Sequence, residues 1–411
     1  MNNTKKPELL IPAGNPEVLR TAVMYGADAV YCGGDSLGLR ANADNFSMSE
    51  LKESIAFAHD HGTKVYVTTN IFARNQDMRG ALRFLLLLNN VKPDALIISD
   101  PGIFTMAKEV CPDIDIHIST QANSTNFGSF LFWHKLGAKR VVAARELTID
   151  ELAEIKAQIP EDMELEAFVH GAMCISYSGR CLISSYLNGR DANRGDCKHP
   201  CRWKYALMEE SRPGEYFPVN EDDGGTTLYS SKDLNMVGHI PELVSAGIDS
   251  FKVEGRMKTS LYVASVTAAY RRAIDEYFED PEKYKENIPQ YEAEVRKCTT
   301  RPFTTGFYFG QPEQTVDGPA YYKGAVYLGT IRKDEEGKLY FIQKNKFSVG
   351  DEIEVMSPGK EPRTVTVKSL LNEAGEYVET CPHPEEKLYP DLGIELQEYD
   401  IMRKINCRRH P

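Results

Sequence analysis

The sequence predicts an α/β protein: a TIM-like (β/α) barrel with a cysteine-rich insertion, followed by a small antiparallel β-barrel domain. Three observations support this prediction. Short apolar, β-rich segments alternate with helical patterns from residue 8 to about residue 280. A segment rich in Cys, Gly, Arg and Asn interrupts the alternation between residues 171 and 229. Beyond about residue 300, the alternation of strands and helices gives way to short β-rich segments joined by turns. We therefore place the two domains at 1–300 and 301–411.

Eight candidate strands precede residue 280. Most are unbroken apolar runs, which are typical of a parallel sheet covered on both faces. They span residues 8–11, 29–32, 64–68, 95–99, 114–119, 140–143, 164–169 and 250–253. Eight βα units of this length predict a closed barrel, with a doubly wound open sheet as the alternative.

The helices between these strands have clear start and stop signals. Helix N-caps are expected at Asn15, Ser47 and Thr148, the last two with a Glu three residues later that completes a capping box. Four glycines stand two or three residues before a predicted strand, at Gly26, Gly62, Gly137 and Gly247. Each is expected to end a helix in the left-handed conformation. The same αβ loop is therefore predicted four times.

The C-terminal segment predicts a different kind of sheet. Short strands are expected at residues 322–331, 339–343, 352–356, 363–368 and 393–396, separated by turns that contain glycine. Strands joined by short turns are antiparallel, so these segments predict a small antiparallel barrel. We expect it to serve as an accessory domain.

Composition excludes several classes of protein. The chain has 411 residues and a net charge of −12, which argues against non-specific coating of nucleic acid but leaves room for a local basic surface. Its longest apolar run, residues 84–88, is far shorter than the ~20 residues that span a bilayer. The first residues lack the continuous apolar stretch of a secretory signal, so a cytoplasmic location is expected. In that compartment, clustered Cys residues are expected to be ligands or nucleophiles.

Four of the nine cysteines form the most informative pattern. Cys174, Cys181, Cys197 and Cys201 are separated by six, fifteen and three residues. Zinc sites usually use Cys pairs two to four residues apart, and only the last pair has that form. Four thiolates with wider spacing favour a [4Fe-4S] cluster. Structural zinc and unliganded thiols remain the alternatives.

Basic and aromatic residues surround these cysteines. Between residues 171 and 205 there are six Lys and Arg side chains, including Arg194 and Arg202, against two Asp, a local charge of +4. Two interpretations stay open: a solvated surface that offsets the thiolates, or a phosphate-binding rim that brings a nucleic acid to the cofactor. Possible stacking surfaces for an extruded base are Tyr177, Tyr186, Trp203 and Tyr205.

A family resemblance is carried by two neighbouring runs. Glu166-Ala-Phe-Val-His170-Gly-Ala-Met-Cys174, followed by Gly179-Arg-Cys181-Leu-Ile-Ser184, resembles the signature of the collagenase-like peptidase family of unknown catalytic type. The similarity extends over roughly residues 7 to 280. Length and the C-terminal module most resemble the branch of that family that hydroxylates tRNA.

The resemblance implies a specific activity. That branch converts the wobble uridine of tRNA to 5-hydroxyuridine without molecular oxygen, with prephenate as co-substrate and an iron-sulfur cluster. Carried onto this sequence, the cluster ligands are Cys174, Cys181, Cys197 and Cys201. The implied partners are tRNA and prephenate, and a paralogous family member is left open as a further partner.

In a barrel, reactive side chains are expected just beyond the carboxyl ends of the strands. There, Arg145 and Arg256 are candidate clamps for the two carboxylates of prephenate, because guanidinium binds carboxylate in a bidentate fork. His170 is a candidate proton donor or acceptor. The predicted catalytic residues are His170, Arg145, Arg256 and Glu254. The predicted substrate-binding residues are Arg40, Asn70, Gln121, Lys252, Arg194 and Arg202.

Other interpretations of these residues stay open. Arg145 with Glu146, and Glu254 with Arg256, are near enough in sequence to form structural salt bridges instead. A collagenase-like peptidase is a second hypothesis, although the chain has no His-Glu-x-x-His. Outside the cluster set, Cys32 is the thiol best placed to act as its nucleophile. A non-catalytic RNA-binding protein with structural zinc is the third hypothesis.

Overall fold

The computed structural model describes residues 5–34, 37–38, 45–174, 176–197, 199–203, 207–208, 216–217, 231–312, 322–381 and 384–406. Eight parallel strands form a closed barrel, and all eight coincide with predicted segments. They are β1 (Glu8–Pro12), β2 (Ala29–Gly33), β3 (Lys64–Thr69), β4 (Ala95–Ile98), β5 (Asp115–Ile118), β6 (Arg140–Val142), β7 (Glu164–Ala172) and β8 (Ser250–Val253). Each strand pairs with the next, and β8 pairs with both β7 and β1. The barrel prediction is therefore confirmed over the open sheet.

The described part of the chain contains ten α-helices, most of which alternate with these strands and cover the outside of the barrel, whereas the seventh belongs to the cysteine-rich insertion. They are α1 (Pro16–Met24), α2 (Met48–Asp60), α3 (Met78–Val91), α4 (Pro101–Val110), α5 (Phe127–Lys135), α6 (Ile149–Gln158), α7 (Ile183–Asn188), α8 (Ile240–Ser245), α9 (Ser260–Glu279) and α10 (Pro281–Arg296). Asn15 caps α1, and both predicted capping boxes form, at Ser47 and Thr148. The four predicted helix-ending glycines all have positive φ. No helix in the described part of the chain is long and apolar enough to cross a membrane.

A chain of charged side chains fills the amino end of the barrel interior. The Arg140 guanidinium donates to Glu8 Oε1 at 2.6 Å, to Glu164 Oε2 at 2.7 Å and to Glu166 Oε2 at 2.9 Å. The other carboxylate oxygen of Glu166 accepts from Lys252 Nζ at 2.6 Å. We name these five side chains, from β1, β6, β7 and β8, the barrel ion-pair network.

Strand register explains why these charges meet. Glu8 and Glu166 both align with Ser250, one on each side of β8, and Arg140 aligns with Glu164 on the neighbouring strand. Burial opposes ionisation of Glu8, but the adjacent Arg140 charge and hydrogen bonds outweigh it and hold the pKa of Glu8 below its usual value. Glu8 therefore stays ionised, and the network spans the seam where the barrel closes.

The C-terminal region forms an antiparallel half-barrel sheet. Its strands are β9 (Ala325–Lys333), β10 (Leu339–Ile342), β11 (Glu352–Met356), β12 (Arg363–Thr366), β13 (Ser369–Leu371), β14 (Lys387–Asp391) and β15 (Ile401–Ile405). The strand predicted at residues 393–396 is wrong, since this segment has no strand structure. Asp391 Oδ1 accepts from the backbone N–H of Gly393, whose φ is +67°, and this turn ends β14. The strands that precede and follow this segment, β14 and β15, belong to the sheet.

The half-barrel packs against the outer helices of the barrel through a polar contact. Arg403 on β15 is fully buried and pairs with Glu294 of α10 and with Glu354 of β11. Its guanidinium also donates to Ser265 Oγ on α9 at 2.9 Å. Tyr25, at the end of α1, donates to the Met356 carbonyl at 2.9 Å. These contacts join the C-terminal half-barrel to the outer helices of the barrel, and each polar group in them has a hydrogen-bond partner.

Removing Arg140 tests how much the fold depends on the barrel ion-pair network. Arg140→Met would leave Glu8, Glu164 and Glu166 without their shared cation in a buried site, which should lower the free energy of unfolding by about 3–5 kcal/mol. Urea unfolding followed by circular dichroism at neutral pH measures the change. Lys285→Met is the control, because Lys285 pairs with Glu282 on the surface and should contribute less than about 1 kcal/mol. Equal losses in the two variants would contradict the prediction.

Candidate functional site

A cavity of about 150 Å³ lies at the carboxyl ends of the barrel strands. Parallel strands present their carboxyl ends at the same rim, so side chains from distant parts of the sequence converge there. From the barrel, the predicted site residues that line the cavity are Asn70, Gln121, Arg145, Lys252, Glu254 and Arg256. From the insertion, they are Cys174, Cys181, Cys197 and Cys201. Ten predicted site residues therefore face one space.

All four cysteines of the insertion lie on the wall of this cavity, and none of them forms a disulfide. Cys174 is exposed and the other three are half-buried. The backbone N–H of His199 donates to Cys197 Sγ at 3.4 Å. Within the described ranges, no three Cys, His, Asp or Glu side chains converge as a closed metal site. The donor set itself, four accessible thiols on one cavity, fits a metal that prefers soft ligands, such as an iron-sulfur cluster or zinc.

The cysteines elsewhere in the described chain have a different environment. Burial raises the pKa of the Cys32 and Cys298 thiols to about 12, and that of Cys111 to about 11. Cys381 is also buried, with a pKa raised to about 12. Thiols with such pKa values are almost entirely protonated at neutral pH and are poor nucleophiles. Cys32 is therefore badly suited to the peptidase hypothesis, and Cys407 lies outside the described residues.

Arg145 is held at the cavity wall by three contacts. Its guanidinium lies over the Phe168 ring at 3.9 Å, donates to the Ala172 carbonyl at 3.1 Å and is 3.5 Å from a Glu254 carboxylate oxygen. The suggested pair with Glu146 is wrong, because Glu146 accepts instead from the backbone N–H of Ser178, in the insertion. Neighbours in sequence thus serve different partners: Arg145 faces the cavity, and Glu146 ties down the insertion.

Two buried polar atoms at the cavity have no hydrogen-bond partner in the described part of the chain. They are Oδ1 of Asn70 and Nε of Arg145. The amide nitrogen of Asn70 donates to Ser119 Oγ at 3.2 Å, which fixes the orientation of the side chain. Buried polar groups are nearly always paired in native structures, so an acceptor and a donor aimed at a cavity are suited to a polar ligand.

Arg256 and Lys252 place two further positive charges at the cavity. Arg256 is almost fully buried, and its guanidinium donates to Thr68 Oγ1 at 2.8 Å. Lys252, whose partner Glu166 belongs to the barrel ion-pair network, has its ammonium 4.6 Å from the centre of the Tyr31 ring. Burial lowers the pKa of Lys252, and Glu166 opposes that effect. With Arg145, these residues give the cavity three cationic side chains on barrel elements.

His170 lies outside the cavity, contrary to the expectation that it works beside the cysteines. Its ring is buried against Tyr262, Tyr270 and Phe303, with ring centroids 5.5 to 6.0 Å apart. Burial lowers the pKa of His170 to about 4, so the ring is neutral at physiological pH. Because His170 is near the end of β7, the sequence predicted that it lies at the mouth of the barrel. Its side chain instead packs between β7 and α9.

Arg194 also differs from its predicted role in substrate binding. It forms a two-point ion pair with Asp77, at 2.6 and 3.0 Å, just before α3 begins. The backbone N–H of Phe72 donates to the Asn193 carbonyl at 3.1 Å in the same contact. Arg194 therefore attaches the insertion to the barrel. Arg40 lies outside the described residues, and the side chain of Arg202 is not described either.

A glycine completes the seating of the insertion. Gly179 has a φ of +73°, and a Cβ atom there would lie 2.3 Å from the Gln121 carbonyl oxygen. Only glycine permits so close an approach between the two backbones. Sequence reasoning missed this role, and it also missed Tyr31 and Phe168, which line the cavity with aromatic surface. Both lie within predicted barrel strands, Tyr31 in β2 and Phe168 in β7, and that position was the available signal.

These features define a closed (β/α)8-barrel protein with a cysteine-lined cavity at the carboxyl end of the barrel and an antiparallel C-terminal half-barrel. The chain belongs to peptidase family U32. The family model matches residues 14–318, and the model of the family's C-terminal domain matches residues 323–403.

Three curated relatives have different names. The chain is 40% identical to tRNA hydroxylation protein P1 of Bacillus subtilis, over 98% of this chain and 95% of that protein. It is 42% identical to an uncharacterized protease of Methanocaldococcus jannaschii, over 84% and 82% of the two chains. It is 38% identical to a 23S rRNA 5-hydroxycytidine synthase of Escherichia coli, over 66% of this chain but 40% of that enzyme.

The buried position of His170 predicts a specific pH dependence of stability. An unfolded histidine has a pKa near 6.5, whereas the folded value is about 4. Between these values the unfolded chain binds a proton that the folded chain excludes. The stability due to neutral His170 is therefore complete above pH 6.5 and is lost as the pH falls towards 4, by about 3 kcal/mol.

His170→Gln should remove this part of the pH dependence. Urea unfolding measured at several pH values between 4 and 7 gives the slope for each protein. The variant should lose less stability than the wild type over this range, while His61→Gln, which removes an exposed histidine, should retain the wild-type slope. Parallel slopes for His170→Gln and wild type would show that His170 is protonated in the folded protein.

Proposed function

We propose that this protein is an RNA hydroxylase that converts the wobble uridine of tRNA to 5-hydroxyuridine without molecular oxygen. Prephenate is its co-substrate, and a [4Fe-4S] cluster bound by Cys174, Cys181, Cys197 and Cys201 is its cofactor. The observation that carries the proposal is that these four thiols and Arg145, Arg256 and Lys252 line one cavity at the carboxyl end of the barrel.

The choice of RNA as substrate is supported by the named relatives. One is a tRNA hydroxylation protein, and it aligns along almost the whole of both chains. Another acts on ribosomal RNA by its name, but this chain accounts for less than half of that enzyme. The extent of alignment therefore favours tRNA over ribosomal RNA.

The charges around the cavity suit a dicarboxylate. Prephenate has two carboxylates, and Arg256 and Arg145 each offer guanidinium N–H donors that can pair with one of them. Lys252 adds a third positive charge that is held in place by Glu166. Because these cations are largely buried, little water competes with their attraction for the ligand. Oδ1 of Asn70 then accepts a hydrogen bond from a substrate N–H or O–H.

In the proposed reaction, the residues of the chain hold the reactants and exclude water. When bound, the cluster supplies a site for electron transfer or for orienting the substrate. The arginines hold the co-substrate, and the Phe168 and Tyr31 rings exclude water from the cavity floor. The uridine must leave its base stack to reach this depth, as with other enzymes that act on a base.

The peptidase hypothesis is weakened by the state of the free thiols. Apart from the four insertion cysteines, every described Cys is buried with a raised pKa. A peptidase would therefore have to use a thiol that the cofactor needs. The RNA-binding hypothesis with structural zinc uses the same four cysteines, so metal analysis separates it from the proposal.

Metal content is the first test of the proposed cofactor. Protein purified without oxygen should contain about four iron atoms and four acid-labile sulfides per chain, with broad visible absorption. Cys197→Ala should lose the absorption, whereas Cys111→Ala, which removes a buried thiol, should keep it. One zinc per chain and no sulfide would contradict the redox proposal and support the structural-zinc hypothesis. Peptide turnover that survives iron chelation would support the peptidase hypothesis.

Arg256 is the test of the proposed co-substrate site. Removing one partner of a buried charge pair costs about 2–5 kcal/mol, so Arg256→Ala should lower kcat/KM for prephenate at least roughly thirtyfold. The visible spectrum should be unchanged, because Arg256 is not a ligand. The control is Arg296→Ala, which removes a half-exposed arginine far from the cavity. Wild-type activity in Arg256→Ala would remove this residue from the site.

A further inference from the structure

The cysteine-rich insertion exposes large apolar side chains beside the cavity. Tyr186 is 83% exposed and Tyr177 is 60% exposed, and Leu182, Leu187 and Trp203 are also exposed. We name these five side chains the insertion surface. A soluble protein rarely groups exposed aromatic and aliphatic side chains without a partner, so this group indicates an interaction site.

The insertion surface borders the mouth of the cavity. Ser176, Ser178 and Cys181 line the cavity. Tyr177 lies between the two serines in the sequence, and Leu182 directly follows Cys181. Leu182 and Tyr186 are one helical turn apart, and the backbone N–H of Tyr186 donates to the Leu182 carbonyl at 2.9 Å. Side chains four residues apart share one face of a helix. A substrate that enters the cavity therefore passes these side chains.

The local charge favours a negatively charged partner such as nucleic acid over a neutral or basic protein. The segment from 171 to 205 has a charge of +4 within a chain of −12. Its two acidic residues are engaged in ion pairs, Asp191 with Arg74 and Asp196 with Arg190. Arg180 is exposed between Tyr177 and Leu182. Exposed aromatic rings interleaved with arginine are typical of surfaces that bind unpaired RNA.

We infer that the insertion surface binds the unpaired RNA nucleotides that flank the target base, by stacking on Tyr186 and Tyr177, while Arg180 contacts a phosphate. The inference rests on the proposed function, because it takes the cavity to receive a base from RNA. It adds the site that holds the neighbouring nucleotides. Stacking does not read base identity, so this site selects an open loop rather than a sequence.

Binding of a labelled RNA stem-loop to the full-length, anaerobically purified protein tests the inference. Stacking on an aromatic side chain is worth about 1–3 kcal/mol per base, so Tyr186→Ala should weaken binding by about five- to a hundredfold. Tyr186→Phe keeps the ring and should bind as the wild type does. Tyr377→Ala is the matched control, because Tyr377 is 80% exposed but lies in the C-terminal half-barrel. Its affinity should not change.

Arg180→Ala tests the electrostatic part of the site. Loss of one phosphate contact should weaken binding to all RNA sequences alike and reduce the salt dependence of the binding constant by about one unit of slope. A fully paired RNA duplex should bind with equal affinity to wild type and to Tyr186→Ala, because it offers no base to stack. Iron content measured on each variant shows that the insertion is still folded around its cofactor.

The possible outcomes separate this inference from the proposed function. If the wild type hydroxylates tRNA and Tyr186→Ala binds the stem-loop equally well, the stacking site is refuted and the proposed function stands. If Tyr186→Phe is as weak as Tyr186→Ala, the hydroxyl and not the ring makes the contact, and stacking is refuted. If RNA affinity is unchanged but the variant alters the oligomeric state, the surface binds protein. If no hydroxylation is found while Tyr186→Ala loses RNA binding, the stacking site stands without the proposed activity.

Discussion

The barrel ion-pair network is the constraint on which the architecture of the site depends. Arg140 joins three carboxylates from two strands, and Glu166 extends these contacts to Lys252. The network crosses the seam between β7, β8 and β1, where a sheet with mismatched register could not bring these charges together. Buried ion pairs add little net stability, but an unpaired buried charge is very costly, so the network penalises other registers. Through Glu166, the network holds the ammonium of Lys252 at the floor of the cavity.

The insertion depends on the barrel for its position. It has little regular structure: its described part contains one short helix, α7, two turns of 3-10 helix and a short antiparallel pairing of residues 207–208 with residues 216–217. It is held instead by the Arg194–Asp77 ion pair, by Glu146 and by the close approach of Gly179 to Gln121. All three contacts are made with loops that follow barrel strands. The cysteines therefore stand over the strand ends because the loops beneath them are fixed.

The cysteines of this chain lie in two environments, which differ in their exposure to water. Cys32 and Cys298 are small apolar side chains in the core, where burial disfavours the thiolate. Cys174 and its three companions lie on the wall of an open cavity, where water and nearby cations are available to a thiolate. The same contrast applies to histidine, since His170 is close to Cys174 in sequence but is buried among aromatic rings. Proximity along the chain did not make it part of the site.

All eight barrel strands, the helix caps and the group of four cysteines could be predicted from the sequence, because these follow from local periodicity, capping chemistry and residue type. The sequence also placed Arg145, Lys252 and Arg256 at the strand ends, since strand ends meet at one rim of a barrel. The partner of each charged side chain, in contrast, became known from the three-dimensional structure. Arg194 pairs with a residue 117 positions away, and His170 turns to the packed side of its strand. Such choices depend on distances across the fold, which no local pattern in the sequence encodes.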